Sequence, residues 1–268
     1  MNTKGLNIII LLFCICFAKS AFGQAEYQFF KSFDQTQIAF TDEGNGNAVI
    51  LLHGFISNGT SWSKTPLKAD LLAAGYRVIV PDLRGNGKSD KSHDAKAYDG
   101  TEVKDLSAML DYLKLNKVDV IGYSRGSIVL AKWLTTEKRI KKAVIGGMGL
   151  DFTNPQWDRR LKFGAAFSGE APLDNLTEGA VTYAKSIGAD LAILGLLQKY
   201  QPVTSIGELH KIKIPVLVIA GTEDIDNGKP EDLVVHFKKG LIEKVPGTHN
   251  ETHKSQAFSD KIIDFLKP

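Results

Sequence analysis

Short, almost unbroken apolar runs recur along this chain, each followed by a longer stretch of helical periodicity. That alternation constrains the fold more than any other feature. Ala48–Leu52 (AVILL), Tyr76–Val80 (YRVIV), Val118–Ile121 (VDVI), Ala143–Ile145 (AVI) and Val216–Ala220 (VLVIA) have the length and β-branched content of strands. Runs without polar alternation suit strands covered on both faces, as in a parallel sheet with helical crossovers. Gln28–Phe33 and Gln37–Thr41 alternate more, which predicts an antiparallel edge hairpin, and Leu241–Val245 supplies a last strand. Val103, Leu106, Leu110 and Leu113 fall on one helical stripe. Ile128–Leu134 is apolar nearly all round, as a helix pressed into the middle of a fold must be. Phe258, Ile262, Phe265 and Leu266 mark a final amphipathic helix. From Met148 to Tyr200 the rhythm stops, over a length far beyond the usual connection of about 2–6 residues. Helical patterns over Trp157–Phe167 and Glu178–Lys199 predict a cap inserted over about residues 148–205, the plainer alternative being a pair of covering helices.

The first residues read differently. One Lys at position 4, an apolar stretch from Leu6 to Ala18, and the small residues Ala21 and Gly23 form the layout of a secretory signal peptide over residues 1–23. Crossing a bilayer core takes about 20 apolar residues, more than this stretch holds, so no stable membrane anchor is expected. Phe13 precedes Cys14 and Ile15 precedes Cys16, so neither cysteine follows the small residue a lipid anchor requires. The expected location is secreted or periplasmic, with one domain over residues 24–268, long enough for a single large core. Cleavage removes both cysteines, which excludes disulfides, thiolate metal sites and a Cys nucleophile. Of the 33 basic residues two would be lost, against 30 acidic residues retained, leaving a nearly neutral chain. Nucleic-acid binding needs a clustered basic surplus and has no support here.

Gly122-Tyr123-Ser124-Arg125-Gly126 is a G-x-S-x-G pentapeptide between the strand Val118–Ile121 and the apolar helix that follows. A strand–turn–helix elbow in that setting forces the Ser side chain out above the sheet, and a turn so sharp leaves no room for side chains two positions either side. Serine at neutral pH is a weak nucleophile and needs a base, itself oriented by an acid. His249, in Val245-Pro246-Gly247-Thr248-His249 between the last strand and last helix, is the candidate base. His253 is the lesser one. The run HNETH lacks the glutamate placement of H-E-x-x-H, so no metal site is expected. Asp224, after the strand Val216–Ala220, is the first candidate acid, Asp226 the second and Asp151 the third; turn chemistry accounts for the spare ones. The turn Leu52-His53-Gly54-Phe55 is placed to aim the Phe55 N–H, with the N–H of Arg125, at a developing oxyanion. His53 is expected to support that turn rather than act as base.

Together these features resemble the α/β-hydrolase superfamily across the whole chain after the leader. The matching pieces are HGF at 53–55, PDLRGNGKS at 81–89, GYSRGS at 122–127, AGTED at 220–224 and PGTH at 246–249, in the family's order. Arg125 and the PGTH segment depart from the family's commoner residues. The resemblance implies an α/β-hydrolase fold, with an eight-stranded, mostly parallel sheet, its second strand antiparallel, and a small helical cap after the sixth strand. It implies no cofactor, and it gives Asp82 and Arg84 the role of holding the loop after the fourth strand. Ser124 in place of Asp or Cys sets aside the dehalogenase, epoxide-hydrolase and dienelactone branches. The expected activity is hydrolysis of a small carboxylic ester by Ser124, His249 and Asp224 through an acyl-enzyme. C–C bond, lactone, amide and perhydrolase chemistry use the same triad, and a low-turnover binding protein on this scaffold is the non-enzymatic rival. Phe152, Trp157, Phe163 and Phe167 of the cap are the candidate substrate-binding residues, with cap packing as the alternative.

Overall fold

The computed structural model describes residues 26–267; the expected leader, residues 1–23, lies outside the described residues. The strands are β1 (Gln28–Lys31), β2 (Gln37–Glu43), β3 (Ala48–Leu52), β4 (Arg77–Pro81), β5 (Val118–Tyr123), β6 (Ile140–Gly146), β7 (Val216–Gly221) and β8 (Gly240–Val245). They form an eight-stranded sheet in the order β1-β2-β4-β3-β5-β6-β7-β8. β2 pairs antiparallel with both β1 and β4, and the remaining pairs are parallel. Every residue of β3 and β7 is buried, the outcome that unbroken apolar runs predict for strands covered on both faces.

Helices α1 (Pro66–Ala73), α2 (Glu102–Tyr112) and α3 (Arg125–Trp133) connect the first parallel strands. Helices α4 (Asp158–Ser168), α5 (Glu178–Ser186) and α6 (Leu191–Lys199) stand between β6 and β7. The short α7 (Ile206–Leu209), then α8 (Pro230–Val234) and α9 (Gln256–Leu266), complete the chain. The sheet separates two cores. Leu106, Met109 and Leu110 of α2 and Ile128–Ala131 of α3 pack on one face, with Leu233 of α8. Leu67 and Leu71 of α1 pack on the other, with Phe258, Ile262 and Leu266 of α9. Each such side chain taken out of water contributes about 1.5–3 kcal/mol toward folding. The chain leaves β3 for β4 on one side and crosses back to β5 on the other. The carboxyl ends of β3 and β5 therefore flank the crevice where such sheets bind ligands.

The loop after β4 is held as its residues suggest. The Asp82 carboxylate accepts the N–H groups of Gly59 and Lys88, each at 2.7 Å, and Arg84 forms a buried pair with Asp105 of α2 at 2.6 Å.

The region after β6 folds into a separate apolar cluster over the carboxyl edge of the sheet, containing Phe163, Phe167, Val181, Leu194 and Leu197. Here the structure differs from the continuous pattern over Glu178–Lys199: the segment is two helices, α5 and α6. The Asp190 side chain accepts the Ile193 N–H at 3.1 Å and so starts α6 afresh. None of the described helices is long and apolar enough to cross a membrane.

Candidate active site

The elbow between β5 and α3 fixes Ser124. Its φ of 53° and ψ of −123° lie where a residue with a side chain is strained. The surroundings hold it there: the Ser124 N–H donates to Gly146 O at 2.8 Å, and the Ser127 hydroxyl bonds the same carbonyl at 2.8 Å. A Cβ on Gly122 would lie 2.6 Å from Gly126 O, and one on Gly126 would collide with Leu52 O, so only glycine fits either side of the turn.

The structure brings His249 and Asp224 to this serine. The Ser124 hydroxyl donates to His249 Nε2 at 2.9 Å, and His249 Nδ1–H donates to Asp224 Oδ2 at 2.9 Å. That tautomer follows from an ionised carboxylate, which can only accept. Both loops are tied together: the Thr222 N–H reaches Val245 O at 2.8 Å and the Glu223 N–H reaches Gly247 O at 3.1 Å. The Asp224 side chain is 3% exposed, whereas Asp226 is 42% exposed and lies 3.6 Å from Arg159 of the cap. Asp151 is exposed, its carboxylate against the backbone of Gly228.

The other histidines take structural positions. His53 is buried, its Nδ1–H donating to Gly54 O at 2.9 Å and its Nε2 accepting the Leu83 N–H at 3.0 Å. Burial pushes its pKa down, so the ring is neutral and braces the turn. His253 also packs on Tyr123: its ring centroid is 4.5 Å from that of Tyr123, and His249's is 5.4 Å away. Burial lowers the His253 pKa to about 4. Both ring nitrogens of His249 are taken by Asp224 and Ser124, so the two ends of HNETH do not form a ligand pair.

The His53–Phe55 turn passes directly over the nucleophile: a Cβ on Gly54 would lie 3.4 Å from Ser124 Cβ. The Phe55 N–H donates to no protein acceptor among the described residues, and the Arg125 N–H, first in α3, has no intrahelical one. Both remain available to a negatively charged oxygen. The Arg125 side chain turns away into a buried bidentate pair with Glu102, at 2.9 and 2.6 Å, and donates to Leu197 O of α6 at 3.3 Å.

Of the four candidate cap residues, two face the site. Phe163 and Phe167 of α4 stand edge-on to Phe55, centroids 6.2 and 5.2 Å away. Phe152 and Trp157 do not: both pack into the core beneath the sheet, against the cluster of Met148 and Ile145. The turn over Asp151–Thr153 follows β6 so closely that Phe152 folds down onto the sheet before the chain rises into the cap. Three contributors had no sequence signal. The Tyr123 hydroxyl donates to His249 O at 2.6 Å, and Asn227 donates to Gly147 O at 3.1 Å. Gly147, at φ 66°, admits the imidazole, since a Cβ there would lie 3.1 Å from His249 Cε1. Asp224, Asp226 and His249 are also the one trio of potential metal-binding side chains found among the described residues, with ligand atoms within 4.8 Å of one another. His249 Nδ1 and Asp224 are already bonded to each other there, so a metal would have to break the contact that orients the imidazole.

Comparison with known proteins agrees with the fold. The alpha/beta hydrolase fold family matches residues 47–172. A Synechocystis sp. protein described as a non-heme chloroperoxidase is 28% identical over 267 residues, covering 86% of this chain and 95% of that protein. The 2-hydroxy-6-oxo-6-phenylhexa-2,4-dienoate hydrolase of Burkholderia cepacia is 29% identical over 55% of this chain, which spans about half of that enzyme (54%). The crystal structure of a bromoperoxidase from Bacillus anthracis superposes with a TM-score of 0.69 at 23% identity, covering 91% of this chain and 100% of that one.

Proposed function

Because this chain belongs to the α/β-hydrolase superfamily, we propose that it hydrolyses a small carboxylic ester through a serine acyl-enzyme. The observation that carries the reading is the relay Asp224–His249–Ser124, two contacts of 2.9 Å ending on a strained serine beneath two open N–H groups. Ser124 Oγ attacks the ester carbonyl while its proton passes to His249 Nε2, and Asp224 stabilises the imidazolium that forms. The carbonyl oxygen, now an anion, takes hydrogen bonds from the Phe55 and Arg125 N–H groups; a donor of this kind is worth about 10²–10³ in rate. The imidazolium returns its proton to the leaving alcohol. Water, deprotonated by His249, then attacks the acyl-enzyme and releases the acid.

The test is hydrolysis of a short-chain p-nitrophenyl ester together with labelling by a fluorophosphonate probe. Native protein is expected to do both and Ser124→Ala neither, with an unchanged fold by circular dichroism. Turnover retained by Ser124→Ala eliminates the mechanism, and a folded protein that neither labels nor turns over overturns the serine-hydrolase reading.

The chloroperoxidase likeness, which spans nearly all of that relative, favours a second reading. Hydrogen peroxide would replace water in deacylation and release a peroxy acid. Peroxide-dependent halogenation in the presence of acetate and bromide separates the two. We further propose, from the leader pattern, that residues 1–23 are removed on export and that the protein works outside the cytoplasm. N-terminal sequencing of the exported chain checks the cleavage.

A further inference from the structure

Building on the ester-hydrolase reading, we propose that the substrate's acyl chain carries a carboxylate and that Arg159 of the cap selects it. Arg159, Phe163 and Phe167 recur at every fourth position of α4 and share one face. The two rings of that face meet Phe55, so the face looks at the turn over Ser124. The Arg159 guanidinium lies 5.0 Å over the Phe163 ring, and its side chain is only 28% exposed. Its ion-pair partner is Asp226 at 3.6 Å, longer than a hydrogen bond, and among the described residues none of its N–H donors has an acceptor. The neighbouring Arg160 is different: it donates to Gln198 O at 3.1 Å and to Lys199 O at 2.8 Å, and so is engaged in packing the cap.

Asp226 in turn offers an oxygen within 4.8 Å of ligand atoms of Asp224 and His249. The guanidinium therefore stands one carboxylate away from the triad. A half-buried cation whose planar fork is open is suited to bidentate recognition of a carboxylate. The rings of Phe163 and Phe167, lying towards Phe55, suit a short methylene spacer between that carboxylate and the scissile carbonyl. The acidic pair Asp224 and Asp226 opposes a dianion such as a phosphate, which leaves a monoanionic group as the fit.

The experiment compares two p-nitrophenyl esters of equal acyl length, the neutral valerate and the anionic hemiglutarate. Native protein is expected to favour the hemiglutarate by about tenfold or more in kcat/KM, mainly through KM. Arg159→Gln should lower kcat/KM for the hemiglutarate about ten times more than for the valerate, and Arg159→Lys should recover part of it. Asp226→Asn should raise hemiglutarate turnover by freeing the guanidinium. Equal losses on both esters, or a native preference for the valerate, overturn the assignment. If neither ester turns over and Ser124 does not label, the ester reading fails by itself. The role of Arg159 is then decided by calorimetric binding of glutarate to Ser124→Ala protein. Binding that Arg159→Gln abolishes supports it, and absence of binding overturns it.

Discussion

The hydroxyl of Tyr123 donates a 2.6 Å hydrogen bond to the carbonyl of His249, 126 positions along the chain, so the residue before the nucleophile holds the backbone of the base. Its ring also packs against the imidazole, and burial pushes its phenol pKa up, which keeps the donor proton in place. Tyr123→Phe keeps the packing and removes the bond. A bond of this kind contributes about 0.5–1.5 kcal/mol, so kcat on a short-chain ester is expected to fall about three- to tenfold with little change in KM. Steady-state kinetics of the folded variant check this.

The two acids beside His249 should respond unequally. Asp224 is buried and in contact with Nδ1, whereas Asp226 is half exposed and turned toward the cap. Asp224→Asn replaces an acceptor-only group by an amide that can hold the wrong tautomer. A loss of about 10⁴ in kcat is expected, by analogy with the corresponding change in the serine-protease triad. Asp226→Asn should cost less than about tenfold on the neutral ester. Comparable losses in the two variants would mean that the carboxylates share the task.

Most of the frame could be read before any coordinates, for a definite reason. Strands such as Ala48–Leu52 and Val216–Gly221 are buried on both faces, and burial writes itself into every residue of a short run. The elbow was legible because its glycines are required by contacts within a few residues. Residues acting across the tertiary structure left no local trace: Tyr123 answers to His249, Gly147 to the imidazole ring, and Ser127 to Gly146. Phe152 and Trp157 show the converse failure. Their apolar character announced burial but not the surface they would be buried against, and the tight turn after β6 decided for the core. The break between α5 and α6 rests on Gly188, which ends α5 at φ 67°, and on the capping Asp190, two short signals within an otherwise helical pattern.

His253 gives the fold a pH dependence separate from that of the triad. Its Nδ1 is buried without a partner among the described residues, the ring packs on Tyr123 and Trp62, and its pKa is lowered to about 4. In the unfolded chain the same ring takes up a proton near pH 6.5. Between those values the unfolded state binds more protons, so stability rises with pH and is lost as pH falls from 6.5 toward 4. From pH 7 to pH 5 the expected loss from this residue is about 2 kcal/mol. Urea unfolding of native protein and His253→Phe at the two pH values should show a smaller drop in the variant. An identical drop assigns the effect elsewhere.

Arg125 departs from the residue its family commonly places after the nucleophile, and its partner explains how the chain accommodates a buried cation there. Arg125 and Glu102 are 3% and 4% exposed and meet in a bidentate pair, so each neutralises the other out of water. Arg125→Met alone leaves the Glu102 carboxylate buried and uncompensated, and also removes the contact to Leu197 O that fastens α6 above the elbow. Removing one member of such a pair typically costs about 3–5 kcal/mol. Exchanging both, as in Arg125→Met with Glu102→Leu, removes the two desolvation penalties together and should recover most of that loss. Chemical denaturation of the two single variants and the double variant gives the coupling directly, expected at about 2 kcal/mol or more. Additive losses would show that the pair is tolerated rather than interdependent. The Arg125 Nε, buried without a partner among the described residues, would then count against the cation in its place.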